Sequence, residues 1–335
     1  MAQGKHKIKV GLDIGSDAVK VVEVSVIDGK MSLGAAVIKK VRSAAREEVV
    51  GCIKEIVSEA GILSKEVNIS VSGPSVIVRF IVMPKMTKDD LKSAIKFEAE
   101  KHVPFNMAEC VIAHSLIRQS RKDNKQGVIL VAAKKDFVLE RVKMVESVGL
   151  SVSIIDVDEF AVSNSFMANF PALGRDRTVA LLDVGAKITN LSIICGGSIL
   201  FARDINVGNR DFDASVSKAF GLDQRAAEDL RMAPGEKEAK LTACTKTVCN
   251  NLCDDVKLSF DYYENQCGKG IDEMYLSGGG AAFKSFEAQL QEMLGLKPKI
   301  WDPLQFLDAG SSRTDLKSID NIKSHFAVAS GLVLR

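Results

Sequence analysis

The sequence predicts an α/β protein made of two similar halves, with a smaller α/β unit inserted into the first. Three observations carry that prediction. An apolar run ends in Asp-x-Gly at Gly11-Leu12-Asp13-Ile14-Gly15-Ser16, and a second run does the same at Leu182-Asp183-Val184-Gly185-Ala186. Strand-like residues follow each turn, and a glycine-rich segment, Ser277-Gly278-Gly279-Gly280, comes late in the chain. At 335 residues the chain is long enough for two hydrophobic cores.

The elements follow in order. Ile8–Ile14 and Val19–Val24 read as strands around the Ser16-Asp17 turn, and Asp28-Gly29-Lys30 reads as a hairpin turn into a strand over Ser32–Lys40. Glu47–Ala60 has helical spacing, with Ile53 and Ala60 on its apolar face and Gly61 placed as a C-cap. Asn68–Val71 and Val76–Val82 are strands around Ser72-Gly73-Pro74. The composition shifts at Met83-Pro84. Thr87-Lys88-Asp89-Asp90 then resembles a capping box that opens a helix with Leu91, Ile95 and Ala99 on one face, and Pro104 stops that helix. Val111–Ile117 is a strand, Arg121–Gly127 a polar loop, Val128–Ala133 a strand, Phe137–Val148 a helix and Val152–Asp156 a strand. The expected inserted unit therefore spans 83–156.

From Thr178 the opening pattern repeats. Strands Val179–Val184 and Asn190–Ile194 flank the second Asp-x-Gly turn, and Gly196-Gly197 turns the chain into Ile199–Arg203. Helices follow over Phe212–Phe220 and Arg225–Met232, the latter with Asp223 as N-cap, and a long helix runs from about Glu238 to Gln266. Met274–Leu276 is a short buried strand leading into the glycine segment, which opens a helix through Ala281-Ala282-Phe283. A last helix over His325–Leu334 is rich in small residues.

Composition excludes several classes. A net charge of +2 lacks the basic excess of a nucleic-acid binder, and 6% aromatic residues provide few platforms for stacked bases. No run of apolar residues is long enough to span a bilayer, and Met1–Lys7 leads into a strand with no export signal, so a cytoplasmic protein is expected. The seven cysteines are odd in number and irregularly spaced, as suits free thiols in a reducing compartment. Cys249 and Cys253 share a helix face and could ligate metal across a dimer. No Cys-x-x-Cys pair or nearby paired histidine supports that, and core packing is the expected role. His6, His102, His114 and His325 are scattered, and Lys39-Lys40 and Arg121-Lys122 read as solvated surface.

An Asp-x-Gly hairpin is by itself a common turn. Two of them, each embedded in strand–turn–strand and followed by a glycine segment, point to a clamp on a phosphorylated ligand. Backbone N–H groups of such a turn form an anion-binding nest, and glycine lets the backbone approach phosphate oxygens. An Asp at the strand end cannot bind phosphate directly, but it can hold hydrated Mg²⁺ that does. The Gly278-Gly279-Gly280 segment suits close approach by a flat base or ribose, with the helix N-terminus favouring phosphate.

This arrangement resembles the superfamily of actin, the heat-shock chaperone ATPases and the sugar kinases, which share a ribonuclease-H-like fold of duplicated domains. Asp13-Ile14-Gly15-Ser16 followed by Lys20 has that superfamily's first phosphate-loop spacing, and Asp183-Val184-Gly185-Ala186 with Thr189 matches the second. Ser277-Gly278-Gly279-Gly280 resembles its adenosine loop, and 156–164 and 325–335 resemble its two connecting helices. Within the superfamily the chain most resembles the PilM family of type IV pilus assembly proteins. The specific pieces are Met83-Pro84 before a charged helix, Glu98-Ala99-Glu100 to Pro104-Phe105, Arg203–Gly208, Ala227-Glu228-Asp229-Leu230, Trp301-Asp302-Pro303-Leu304 and Ala327–Leu332. Ala113-His114 and Asn209 depart from the family's usual residues.

The resemblance implies ATP with Mg²⁺ as the ligand. It implies contacts from Asp13, Gly15, Ser16, Lys20, Asp183, Gly185, Ala186, Lys187, Thr189, Glu228, Arg231, Gly278, Gly279 and Gly280, with the metal held by Asp13 and Asp183 through water. Lys187 stands where a small residue is usual, and Arg231 where lysine is. The implied layout is subdomain 1A over 1–82, completed by 157–177 and 320–335, and an inserted FtsA-type subdomain 1C over 83–156. The second half divides into 2A over 178–208 and 268–319, and 2B over 209–267. The implied partner is the N-terminal tail of a PilN-like inner-membrane protein, held in a groove between the first subdomain and 1C, which would place the protein peripherally at that membrane. Other pilus motor or platform proteins and self-association are left open. Two alternatives remain from the same superfamily: a small-molecule kinase and an FtsA-like filament-forming ATPase. Glu159 is the candidate to activate water if ATP is hydrolysed, and a helix-end charge is its plainer reading.

Overall fold

The computed structural model describes residues 7–43, 45–117, 124–310 and 312–335, and the side chain of Lys284 is not described. His6 and the Arg121-Lys122 pair lie outside the described residues, and the part of the expected polar loop from Lys125 onward belongs to a strand.

The chain begins with β1 (Lys7–Ile14), β2 (Ala18–Ile27) and β3 (Lys30–Lys40), then α1 (Arg46–Glu59), β4 (Glu66–Val71) and β5 (Val76–Pro84). It continues with α2 (Lys88–His102), β6 (Cys110–Leu116), β7 (Lys125–Lys134), α3 (Lys135–Glu146), β8 (Ser151–Val157), α4 (Asp158–Asn169) and α5 (Leu173–Asp176). The second half contains β9 (Val179–Val184), β10 (Thr189–Cys195), β11 (Ser198–Ile205), α6 (Asn209–Phe220), α7 (Gln224–Met232), α8 (Glu238–Cys267), β12 (Glu273–Ser277), α9 (Lys284–Leu294), β13 (Pro298–Ile300) and α10 (Ala327–Leu332).

Two five-stranded sheets have the same plan. The first runs β3-β2-β1-β4-β8 and the second β11-β10-β9-β12-β13. In each, an antiparallel meander is extended on the far side of its first strand by two parallel strands. A register irregularity even recurs, at Glu23/Val24 in one sheet and Ile193/Ile194 in the other. The duplication read from two short motifs is thus a duplication of whole sheets.

The third sheet, β5-β7-β6, is antiparallel and carries α2 on one face. Thr87 caps α2 as its sequence suggests, accepting the Asp90 N–H. Leu91, Ile95 and Ala99 of α2 then bury against Ile81, Met83, Leu130 and Ala132. This sheet begins at Val76 rather than 83, because β5 pairs with β7 along its whole length. Its last strand ends at Lys134. β8 instead pairs in parallel with β4, and Met144 and Val145 of α3 join the first core. Hydrophobicity alone could not make that assignment, since the apolar residues of β5 and β8 do not specify which sheet receives them.

Helices α4 and α10 cross between the halves. A Cβ on Gly331 would overlap the Ala161 carbonyl, so the crossing depends on glycine, and the buried Ser165 and Ser330 hydroxyls are 2.7 Å apart there. The expected last helix is shorter than predicted: a 3₁₀ segment over Leu316–Phe326 precedes α10. Cys249 and Cys253 lie fully buried in the second half's core among Leu252, Val256 and Phe260, in keeping with a packing role. Among the described residues, no helix is long and apolar enough to cross a membrane.

Candidate functional site

The two Asp-x-Gly turns occupy equivalent places. In the first, the Gly15 N–H donates to the Ala18 carbonyl (3.1 Å), and in the second the Gly185 N–H donates to Ile188 (3.0 Å). A Cβ at either glycine would stand within 3 Å of that same carbonyl, 2.8 Å at Gly15 and 2.9 Å at Gly185. Strand register sets Asp13 opposite Lys20 and Asp183 opposite Asn190. Both aspartates are buried.

The two copies differ in charge. Lys20 bonds Asp13 at 2.8 Å. Burial would lower the Lys20 ammonium's pKa, but Asp13's charge and hydrogen bond, with Asp183 and Asp158 behind them, hold it above its ordinary value. Asp183 has no such partner, and burial pushes its carboxyl up to about 6 against the pull of Ser277 and Lys20. Asp158, at the start of α4, accepts the Ser72 hydroxyl at 2.5 Å, and burial with Asp13's charge pushes it up to about 7. Neighbouring Glu159 is buried with Oε2 unpartnered, and burial together with Asp204 raises it well above the carboxylate range. Asp204 spans the halves, accepting the Gly73 N–H and the Asn190 side-chain amide, each at 2.6 Å.

The site is therefore rich in carboxyl groups and short of positive charge. A divalent cation would relieve that shortage directly. Among the described residues no three His, Cys, Asp or Glu side chains converge to cage a metal. Mg²⁺ keeps several waters and takes one or two carboxylates plus phosphate oxygens. Asp13 and Asp183 fit such a role.

The remaining predicted residues fall into three groups. Gly278 has φ +78°, and its N–H donates to Ser324 (2.9 Å) while packing against the Val184 backbone, so the glycine segment is locked to the second turn. Gly279 faces Asn209 and His325, and Gly280 faces Val184 and Asn209. The segment forms a single 3₁₀ turn over Gly279–Ala282, with α9 following it. Ser16, Ala186 and the exposed Lys187 lie on the turns themselves. Thr189, Glu228 and Arg231 are committed to protein partners: the Thr189 hydroxyl donates to Val207 (2.8 Å), Glu228 pairs with Lys40 (2.6 Å), and Arg231 is buried on Asp213 (2.6 Å) beneath Phe283.

Four further residues complete the cleft. Asp158 and Asp204 are described above. His325 packs beside Gly279 with Nε2 buried and unpartnered. Burial, aided by Lys20, Lys40 and Arg231, pushes it down to about 4, so the ring is neutral. Arg210 reaches from α6 to the Ser16 carbonyl (2.9 Å). Asp204 lies inside the Arg203–Gly208 stretch that the sequence marked, and Arg210 stands two residues beyond it.

An apolar cleft of about 470 Å³ lies elsewhere, between the outer edges of β5 and β11, with α8 beside them. Phe80, Val82, Leu200, Phe201, Leu258 and Tyr262 line it.

The model of the family described as type IV pilus assembly protein PilM matches residues 11–335. The chain belongs to the PilM family. A solved structure titled PilM-PilN type IV pilus biogenesis complex matches with a TM-score of 0.87 at 27% identity, over 98% of each chain. The ethanolamine utilization protein EutJ from Carboxydothermus hydrogenoformans matches with a TM-score of 0.59 at 12% identity, over 98% of this chain and 89% of that one. MreB 5 of Spiroplasma citri bound to AMPPNP matches with a TM-score of 0.51 at 14% identity, over 97% and 94%. The last two share the fold alone. Together these matches establish an actin-like PilM-family fold and a place in type IV pilus assembly.

Proposed function

We propose that this PilM-family protein binds Mg²⁺–ATP between its two Asp-x-Gly turns and holds the N-terminal tail of a PilN-like inner-membrane protein, each ligand biasing the other. The observation that carries the nucleotide reading is the pair of equivalent turns over a site in which the carboxyl groups outnumber the cations. In this reading Gly15 and Gly185, whose own N–H groups close the turns, keep the backbone open to phosphate, Ser16, Ala186 and Lys187 present backbone N–H groups to it, Lys20 adds charge, and Asp13 and Asp183 hold the hydrated metal. Gly278, Gly279 and Gly280 leave room for the nucleoside. Glu228 and Arg231 reach it only by leaving Lys40 and Asp213. Subdomains 1A, 1C, 2A and 2B are the corresponding division of the chain, with the nucleotide between the first and second halves.

Glu159 is a weak water activator as it stands. Burial and the neighbouring Asp204 raise its pKa, which favours the protonated form, and a protonated acid cannot accept a proton from water. ATP thus acts chiefly by closing the halves. Closure matters because Gly73–Asp204 and Lys40–Glu228 already join them.

The resemblance placed the tail between the first subdomain and the inserted one. The β5–β11 cleft is the better seat. Both bordering strands have unpaired outer edges, and an extended apolar segment adds its own backbone hydrogen bonds to such edges. The cleft also lies between the inserted sheet and the second half, so nucleotide-driven closure would change its width. A protein so placed works on the cytoplasmic face of the inner membrane through its partner.

The test is calorimetric titration of a PilN-like N-terminal peptide with and without Mg²⁺–ATP. Linkage requires the nucleotide to change peptide affinity by the same factor as the peptide changes nucleotide affinity. Identical peptide affinity in both conditions would remove the coupling, and an unaltered affinity in Phe201→Asp would remove the cleft.

A further inference from the structure

We propose that Arg210 is a phosphate-contacting latch that reads nucleotide occupancy at both turns, an inference that rests on the nucleotide reading above. The residue touches both halves of the clamp. Its backbone N–H donates to the Ala186 carbonyl (2.9 Å), directly after the Asn209 N–H donates to Gly185 (2.9 Å), so α6 is fixed to the second turn. Gly208 permits that approach, since a Cβ there would stand 2.7 Å from the Ala186 carbonyl. The side chain then crosses the cleft, where Nη2 donates to the Ser16 carbonyl (2.9 Å) and lies 3.7 Å from Asp17 Oδ1 in the first turn.

The guanidinium is not fully used by these contacts. It offers five N–H donors in a rigid fork, and its Nε is buried with no partner. A buried donor without an acceptor is costly, and a ligand held between the two turns would provide the missing one. Polyphosphate oxygens supply such acceptors and match the planar fork, as a carbonyl does not. Without nucleotide, Arg210 ties the turns together through Ser16. With nucleotide, its fork turns to the phosphates and keeps the second turn closed over them. The acidic side chain facing the guanidinium is Asp17 from the first half, 3.7 Å away.

The experiment compares Mg²⁺–ATP, Mg²⁺–ADP and AMP binding by titration calorimetry in the wild-type chain and in Arg210→Gln and Arg210→Lys. Arg210→Gln is expected to weaken Mg²⁺–ATP about tenfold or more and to leave AMP nearly unchanged. Arg210→Lys should recover part of the loss, because it keeps the charge without the fork. The salt dependence of ATP binding should become shallower in Arg210→Gln. Unchanged ATP affinity in Arg210→Gln, or an equal loss for ATP and AMP, would overturn the latch while leaving the nucleotide reading intact. Absence of ATP binding in the wild-type chain would overturn both. Circular dichroism at matched temperature confirms that each variant is folded before it is titrated.

Discussion

Gly278→Ala tests whether the glycine segment and the second Asp-x-Gly turn form one unit. Gly278 has φ +78° and ψ −177°, a region open almost only to glycine, and a side chain there costs about 1–3 kcal/mol in backbone strain. A Cβ would also stand 2.5 Å from the Val184 carbonyl oxygen and 2.9 Å from the Val184 carbonyl carbon and nitrogen. These are backbone atoms of β9, the strand that carries Asp183, so no rotamer change relieves the overlap, which adds about 1–3 kcal/mol. The sum, roughly 2–6 kcal/mol, is a large share of the 5–15 kcal/mol that typically holds a domain folded. Gly295→Ala separates the two contributions. Gly295 has φ +71° with nothing within 4 Å of a Cβ, so only left-handed strain applies there, about 1–2 kcal/mol. Thermal unfolding followed by circular dichroism should show Gly278→Ala lowering the midpoint at least twice as far as Gly295→Ala, and calorimetry should show Mg²⁺–ATP binding weakened only in Gly278→Ala. Equal midpoints for the two variants, with ATP affinity kept in both, would refute the reasoning.

Other consequences follow from single groups. Asp13→Ala and Asp183→Ala should each weaken Mg²⁺-dependent ATP binding about tenfold or more, and calorimetry showing wild-type affinity in both would remove them from the metal site. Asp158 and Asp183 are held at about 7 and about 6, whereas an unfolded Asp titrates near about 3.9. The folded state therefore keeps protons that the unfolded chain has lost, and stability of the ligand-free protein should fall as pH rises from about 4 through about 7. A pH series of melting curves checks this, and Asp158→Asn should flatten it. Buried Glu23 is held by Arg313 at 2.5 Å and accepts the Leu63 N–H at 2.7 Å. Arg313→Ala leaves that carboxylate unpaired and should destabilise the fold by about 3 kcal/mol in urea unfolding, with a double variant Glu23→Gln/Arg313→Ala losing less.

The amino-acid sequence by itself determined the duplicated halves, the turns at Asp13 and Asp183, the α2 cap at Thr87 and the buried face of α2. These features are local: a strand that ends in Asp-x-Gly must turn there, and apolar residues three and four apart must share a helix face. The family pieces at Glu98–Phe105, Arg203–Gly208 and Ala327–Leu332 likewise stand in the sequence as contiguous strings. Tertiary structure alone decided that β5 joins the small sheet and β8 the first. An alternating strand suits any sheet edge, and only pairing partners far along the chain select one. It alone decided that Arg231 is buried on Asp213 and Glu228 pairs with Lys40, because the partner of a charged side chain is set by which surfaces fold together. It also brought Arg210, Asp204 and His325 to a cleft whose other walls lie far away in the chain. Proximity of that kind has no signature in the spacing of residues, since it arises where the two halves close on each other.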